Sequence, residues 1–254
     1  MDFATIFGLI VAFGAVGGSF FLEGGNFHAI FLTAPLLIVI GGTLGATTIT
    51  TSFDTVRHIP HYLKVATWNQ SLPLTSTIDK LVQLSEKARR EGILGLETDL
   101  KKIEHPFFRK AIRLVIDGTD IESLRDILEM EIVQVEERHK QGILFFKKAG
   151  GFAPTLGILG TVLGLIHTLG CTEDASKMAT HIAAAFIATL WGVGLANLFF
   201  LPVSDKLKMR HEEELTHLEL ISEGVLAIQT GDNPRNIRTR LLSFISPKHR
   251  LHVE

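Results

Sequence analysis

Four long apolar segments interrupt an otherwise charged chain: Phe3 to Phe21, Phe31 to Phe53, Phe152 to Gly170 and Ala179 to Val203. None of them contains Asp, Glu, Lys or Arg. Each is close to the roughly 20 residues an α-helix needs to cross a hydrocarbon core of about 30 Å, so the pattern predicts four transmembrane helices. Between the second and third segments the pattern becomes amphipathic. Ile78, Leu81, Val82, Ser85 and Ala88 recur at helical spacing after the cap candidates Ser76 and Thr77, and the stripe stops at Gly92. Phe107, Phe108, Ile112, Val115 and Ile116 predict a second short helix, opened by Pro106 and closed by Asp117-Gly118. A third stripe, Ile121, Leu124, Leu128, Ile132 and Val135, runs to about Gly142. After the fourth segment, Leu207, Leu215, Leu218, Ile221, Val225 and Ile228 share one helical face before Gly231-Asp232-Asn233-Pro234 turns the chain. Nothing reads as a strand.

The predicted fold is an all-α membrane protein. Transmembrane helices one and two occupy residues 1–56, a large helical cytoplasmic domain 57–148, transmembrane helices three and four 149–203, and a cytoplasmic C-terminal helix and tail 204–254.

Charge sets the orientation. Of 25 lysines and arginines, all but Lys177 lie in two blocks, Arg57 to Lys148 and Lys206 to Arg250. Positive residues are retained on the cytoplasmic side, so both blocks and both termini are predicted inside the cell. The links at Leu22 to Ile30 and Cys171 to Met178 are predicted outside. The first segment is read as a span rather than a signal peptide: no basic region precedes it, Asp2 is acidic, and Gly17-Gly18-Ser19-Phe20 is a poor cleavage site. A net charge of -2 gives no reason to expect nucleic acid as a partner, and the single cysteine, Cys171, excludes an intrachain disulfide framework and a CxxC metal site.

Small residues mark the third and fourth segments. Ala149, Ala153, Gly157 and Thr161 stand four apart, as do Ala184, Ala188, Gly192 and Ala196, which lines each set along one helix face. Such faces let membrane helices approach closely. They are suited either to tight packing within one bundle or to a shared interface around another helix.

Ion pathways through membranes usually carry carboxylates or cations, yet here the only ionisable side chain well inside a span is His167. A conducting protein of this kind would need its carboxylate from a partner. Pro154 and Pro202 sit at the cytoplasmic ends of the third and fourth segments, where a missing backbone donor bends or ends a helix. The histidine pairs His58/His61 and His249/His252 lack a converging carboxylate cluster and predict no metal site. No nucleophile motif or phosphate-binding glycine loop appears, so neither an enzyme nor a bound cofactor is expected.

Several motifs resemble the flagellar motor stator family of MotA and PomA. The run from Ala153 to Leu165, APTLGILGTVLGL, is similar to the family's third helix. Ala188 to Gly192, Ala196-Asn197 and Phe200 to Leu207 resemble its fourth. Ala88 to Glu97, Glu137-Arg138-His139 and Val225 to Arg235 resemble its cytoplasmic motifs.

The resemblance implies a pentamer of this chain around a dimer of a MotB/PomB-type protein. That partner has a single span, which supplies an aspartate, and a domain that grips peptidoglycan. Ion flow past the aspartate would turn the ring against the rotor switch protein FliG at the inner membrane. A unit charge falling through about 150 mV releases roughly 3.5 kcal/mol, enough to bias a stepwise rotation. Carried over by position, Arg89, Arg90 and Glu97 would contact the rotor, Pro154 and Pro202 would couple ion binding to helix movement, and Thr161 and Thr189 would line the ion path. A hydroxyl at Thr161 favours transported sodium, since a hard cation needs oxygen ligands. Ala188, where the sodium-driven members often carry a threonine, and Gly151, at a position acidic in PomA, keep the proton open. The alternative is an ExbB/TolQ-like energising subunit of an envelope transport complex, against which the four predicted spans count.

Overall fold

The computed structural model describes residues 2–68, 74–170 and 175–247, and every regular element among them is helical. The predicted outer link at Cys171 and the His249/His252 pair lie outside the described residues. Helix α1 (Phe3–Leu22) starts on Asp2, whose Oδ1 accepts from the backbone N–H groups of Ala4 at 3.1 Å and Thr5 at 3.3 Å. That is the usual work of an N-cap aspartate. The short α2 (Phe27–Ile30) leads into α3 (Thr33–Ile49), which contains a π-helical turn at Leu37–Gly41. Two short helices follow, α4 (Phe53–Arg57) and α5 (Ile59–Thr67). Then come α6 (Leu74–Glu91), a 3-10 segment at Ile93–Lys102 and α7 (Pro106–Ile116). Helix α8 (Ile121–Gly170) is 50 residues long. Helix α9 is made of Ala175–Leu195, a π-helical turn at Ala196–Phe200, and Leu201–Gln229. Gly231, at φ +74, turns the chain into α10 (Pro234–Leu241).

Helices α1, α8 and α9 are long and apolar enough to cross a membrane. The second predicted span is shorter than its apolar segment. Its helix α3 begins at Thr33 and ends at Ile49, a length of about 25 Å at 1.5 Å per residue. A cluster of threonines sets the C-terminal limit: the hydroxyls of Thr47, Thr48, Thr50 and Thr51 all bond back to carbonyls of the preceding turn. Ser52 then caps α4 by accepting from the Thr55 N–H.

One other boundary differs from the expected one. Thr77 lies inside α6 rather than capping it, and its hydroxyl meets His217 Nε2 at 2.9 Å. At Gly142, where the third stripe approaches the third apolar segment, α8 continues without interruption. The missing side chain of Gly142 serves packing, since a Cβ there would come within 2.9 Å of the Tyr62 ring.

The chain forms two compact units: Met1–Asn69 with His139–Arg210, and Gln70–Arg138 with His211–Glu254. The first holds the apolar helices and a small core of Phe145, Phe146, Ala149, Phe200 and Val203. Around it α1 exposes Phe3, Phe7, Ile10, Val11 and Phe21, an all-round apolar surface suited to lipid or neighbouring helices. The second unit has a larger core, in which Ile78, Leu81, Ile112, Leu128, Ile221 and Ile237 are buried. Gly224 lets Leu81 sink against its helix, because a Cβ there would lie 2.5 Å from Leu81 Cδ1.

Candidate functional site

The two small-residue stripes meet each other inside the first unit. A Cβ on Gly157 would lie 2.8 Å from the Ala188 carbonyl oxygen and 3.1 Å from Gly192 Cα. A Cβ on Gly192 would lie 2.6 Å from the Ala153 carbonyl oxygen. Gly160 and Gly164 give the same close approach to Ala188 Cβ and Ala185 Cβ, each at 2.8 Å. The two stripes therefore pack against each other within one chain. Ala153, Ala185, Ala188 and Ala196 are accordingly buried.

This approach brings together Thr161 and Thr189, whose hydroxyl oxygens are 2.5 Å apart. Thr161 Oγ1 also stands 3.1 Å from the Gly157 carbonyl and 3.0 Å from the Ala185 carbonyl across the cleft. Both carbonyls can only accept. The single Thr161 proton therefore goes to one of them, and Thr189 donates its own proton to Thr161. The Thr189 oxygen keeps its lone pairs for another group. Threonines placed apart in sequence thus make one oxygen-rich point between two apolar helices.

The two prolines are linked one level along the same helix pair. Pro154 lies inside α8 and cannot donate to the carbonyl of Gly150, four residues earlier. Gly150 in turn packs on the residue before the other proline, since a Cβ there would lie 2.6 Å from Leu201 Cδ2. Pro202 follows directly on the π-helical turn at Ala196–Phe200, where a wider turn leaves room for the proline ring. Neither proline touches the threonine pair; Pro154 precedes Thr161 by two turns, about 10 Å of helix.

Asp2, an acidic residue that argues against a signal peptide, is a junction of the first unit. It is 7 % exposed. Its carboxylate pairs with Lys206 and Arg210 of α9, each at 2.5 Å, and its N–H donates to the Thr67 carbonyl at 2.8 Å. The Lys206 hydrogen bond, helped by the Thr5 N–H and the Arg210 charge, holds the carboxyl at about 2. An aspartate directly before an apolar helix was the available signal. Beyond this junction a groove of about 320 Å³ runs between α1 and α9, lined by Gly8, Ala12, Asn197, Leu198, Pro202 and Lys206.

In the second unit Arg89 and Arg90 occupy the last turn of α6 and are exposed. Glu97 is exposed on the 3-10 segment that follows Gly92, which turns the chain at φ +81. That segment is held against α6 by Asp99, which pairs with Lys87 at 2.6 Å and Lys102 at 2.7 Å. Hydrogen bonds from Lys102 and then Lys87 push the Asp99 carboxyl down, and Asp99 holds the Lys87 ammonium up. With these neighbours paired, Arg89, Arg90 and Glu97 make no ion pair among the described residues. They are left to face outward.

Comparison with known proteins agrees with this arrangement. Residues 99–220 match the MotA/TolQ/ExbB proton channel family and residues 6–92 match the motility protein A N-terminal family. A motility protein A from Borreliella burgdorferi is 40% identical over 250 residues, covering 98% of this chain and 96% of its own. The structure of C. jejuni MotAB superposes with a TM-score of 0.92 at 30% identity, covering 97% of each chain. The flagellar MotAB stator complex from Bacillus subtilis gives 0.91 at 33% identity, again covering 97% of each chain.

Proposed function

This chain belongs to the motility protein A family of flagellar motor stator proteins, and from that premise we propose that it forms a sodium-driven channel with a MotB-type partner. The observation that carries the reading is the Thr161–Thr189 bridge, set in a helix cleft that has no carboxylate of its own. The partner's single span would supply the aspartate. A partly dehydrated sodium ion would then take the open lone pairs of Thr189, oriented by Thr161, before passing to that aspartate.

Two more observations support coupling. Gly150, whose carbonyl Pro154 leaves without a donor, packs against the Leu201 side chain next to Pro202, so a change of bend at Pro154 reaches Pro202. Arg89, Arg90 and Glu97 face outward from a braced segment, which suits contact with the rotor switch protein FliG. The assembly is a pentamer of this chain in the bacterial inner membrane, with both termini cytoplasmic.

The test is motor speed against external sodium at fixed pH and membrane potential. Speed should follow sodium and fall sharply in Thr161→Ala. Torque that persists without sodium, with Thr161→Ala tolerated, would make protons the driving ion.

A further inference from the structure

The α8–α9 cleft ends in a pair of histidines that the stator reading does not use. His167 stands six residues beyond Thr161 on α8, and His181 eight residues before Thr189 on α9. Their ring centres are 4.6 Å apart with planes inclined at 54°. His181 Nδ1 is buried and finds no hydrogen-bond partner among the described residues, while the His167 side chain is exposed. A buried imidazole nitrogen without a partner costs free energy unless something else takes it.

We propose that His167 and His181 form a binding site for a zinc-class divalent metal ion. With zinc–nitrogen bonds of about 2.0–2.1 Å, two imidazoles on a tetrahedral ion hold their ring centres about 5 Å apart, close to the separation seen. The two rings come from different helices, so an ion between them would bridge α8 and α9. No Asp, Glu, Lys or Arg occurs in Thr33–Ile49, in 157–170 or in 178–188, so the nitrogen ligands these stretches offer a metal are the His167 and His181 imidazoles. Among the described residues no group of three or more His, Cys, Asp or Glu converges, and the remaining coordination positions would be filled by water. Such a two-ligand site suits an ion that is acquired and released rather than one built into the fold.

A dication held there would stand about 9 Å along α8 from Thr161 and repel an incoming cation. That consequence rests on the ion-path reading. Binding itself does not, and it is measured without ion flow or rotation.

The experiment is calorimetric titration of the purified stator complex with zinc chloride, repeated with cobalt chloride. One zinc ion per chain is expected, with affinity at least about tenfold weaker in His167→Phe and, separately, in His181→Asn. His58→Asn, which removes a histidine bonded to the Asp54 carbonyl, should bind as the wild type does. Thermal melts of both variants identify any that fail to fold, and the exposed His167 position gives the more tolerant of the two. Absence of saturable zinc binding, or unchanged affinity in both folded variants, would overturn the proposal.

Discussion

The Thr161 hydroxyl lies 2.5 Å from that of Thr189, joining α8 and α9 a turn beyond the point where Gly157 and Gly192 nearly touch. The hydroxyl bridge depends on the glycine contact, because a bulkier residue at either glycine would hold the helices apart. Thr161→Ala removes a hydroxyl with three near neighbours, whereas Thr189→Ser keeps the oxygen at the bridge. Thr161→Ala should therefore slow tethered-cell rotation far more than Thr189→Ser. Equal speeds in the two would separate the bridge from ion transport.

Packing of the cleft has its own test. Gly157→Ala adds a methyl 2.8 Å from a backbone oxygen, an obstacle that side-chain rotation cannot relieve. Its cost should be about 1–3 kcal/mol, outweighing the roughly 1 kcal/mol that alanine normally gains over glycine in a helix. Gly194→Ala meets nothing within 4 Å and should be neutral or stabilising. Thermal melts of the purified protein in detergent should rank Gly157→Ala below wild type and Gly194→Ala at or above it.

Charge reversal at both Arg89 and Arg90, or at Glu97, should leave expression and melting temperature unchanged. Exposed charges of this kind contribute about 0–1 kcal/mol to stability. Swimming should nevertheless fall, most in the double reversal, and recover in part with a complementary reversal on the rotor. Normal swimming in the double reversal would return these arginines to the status of a solvated helix end.

Acid should weaken the second unit through His217. This residue is 3 % exposed and sits 5.2 Å, centre to centre, from the His105 ring. Burial first, and the His105 charge second, push it down to about 4. Burial also lowers His105, against the opposing pull of Glu214. In the unfolded chain a histidine takes up its proton near 6.5, so the folded state gains nothing there until the pH nears 4. Stability from the neutral His217 is complete above about 6.5 and is lost as pH falls toward 4, about 3 kcal/mol in all. Denaturation of the purified protein followed from pH 7 to 4 should show this slope, and His217→Gln should flatten it.

Asp2 should matter more than its position near the end of the chain suggests. Asp2→Asn keeps a capping oxygen but removes the charge that Lys206 and Arg210 share. Hydrogen bonds to charged groups are worth roughly 1.5–3 kcal/mol, so the melting temperature should drop by several degrees. Because the folded carboxyl stays ionised down to about 2, the wild-type contribution should persist above pH 4 and fade only below it. A melting temperature equal to wild type at pH 7 would mean that Lys206 and Arg210 find other anions at no loss.

Sequence alone determined that the protein is helical and apolar in blocks, where three long apolar helices lie, and which amphipathic faces are buried. Those properties follow from period and composition, which act locally: Pro106 and Gly118 bound α7 as expected, and Ile78, Leu81 and Leu128 are buried as their stripes require. Tertiary structure decided what depends on two distant segments meeting. The stripes at Gly157 and Gly192 carry the same signature whether they face lipid, a partner or each other, and only their contact reveals which. Thr77 looked like a cap until His217, 140 residues away, took its hydroxyl. The absence of a side chain at Gly142 acquires its reason only from the Tyr62 ring beside it. The His167–His181 pairing, and the partners that Asp2 finds on α9, likewise depend on segments distant in sequence. Ring contacts and ion pairs are set by helix register, and register is fixed by packing between residues that the linear pattern does not connect.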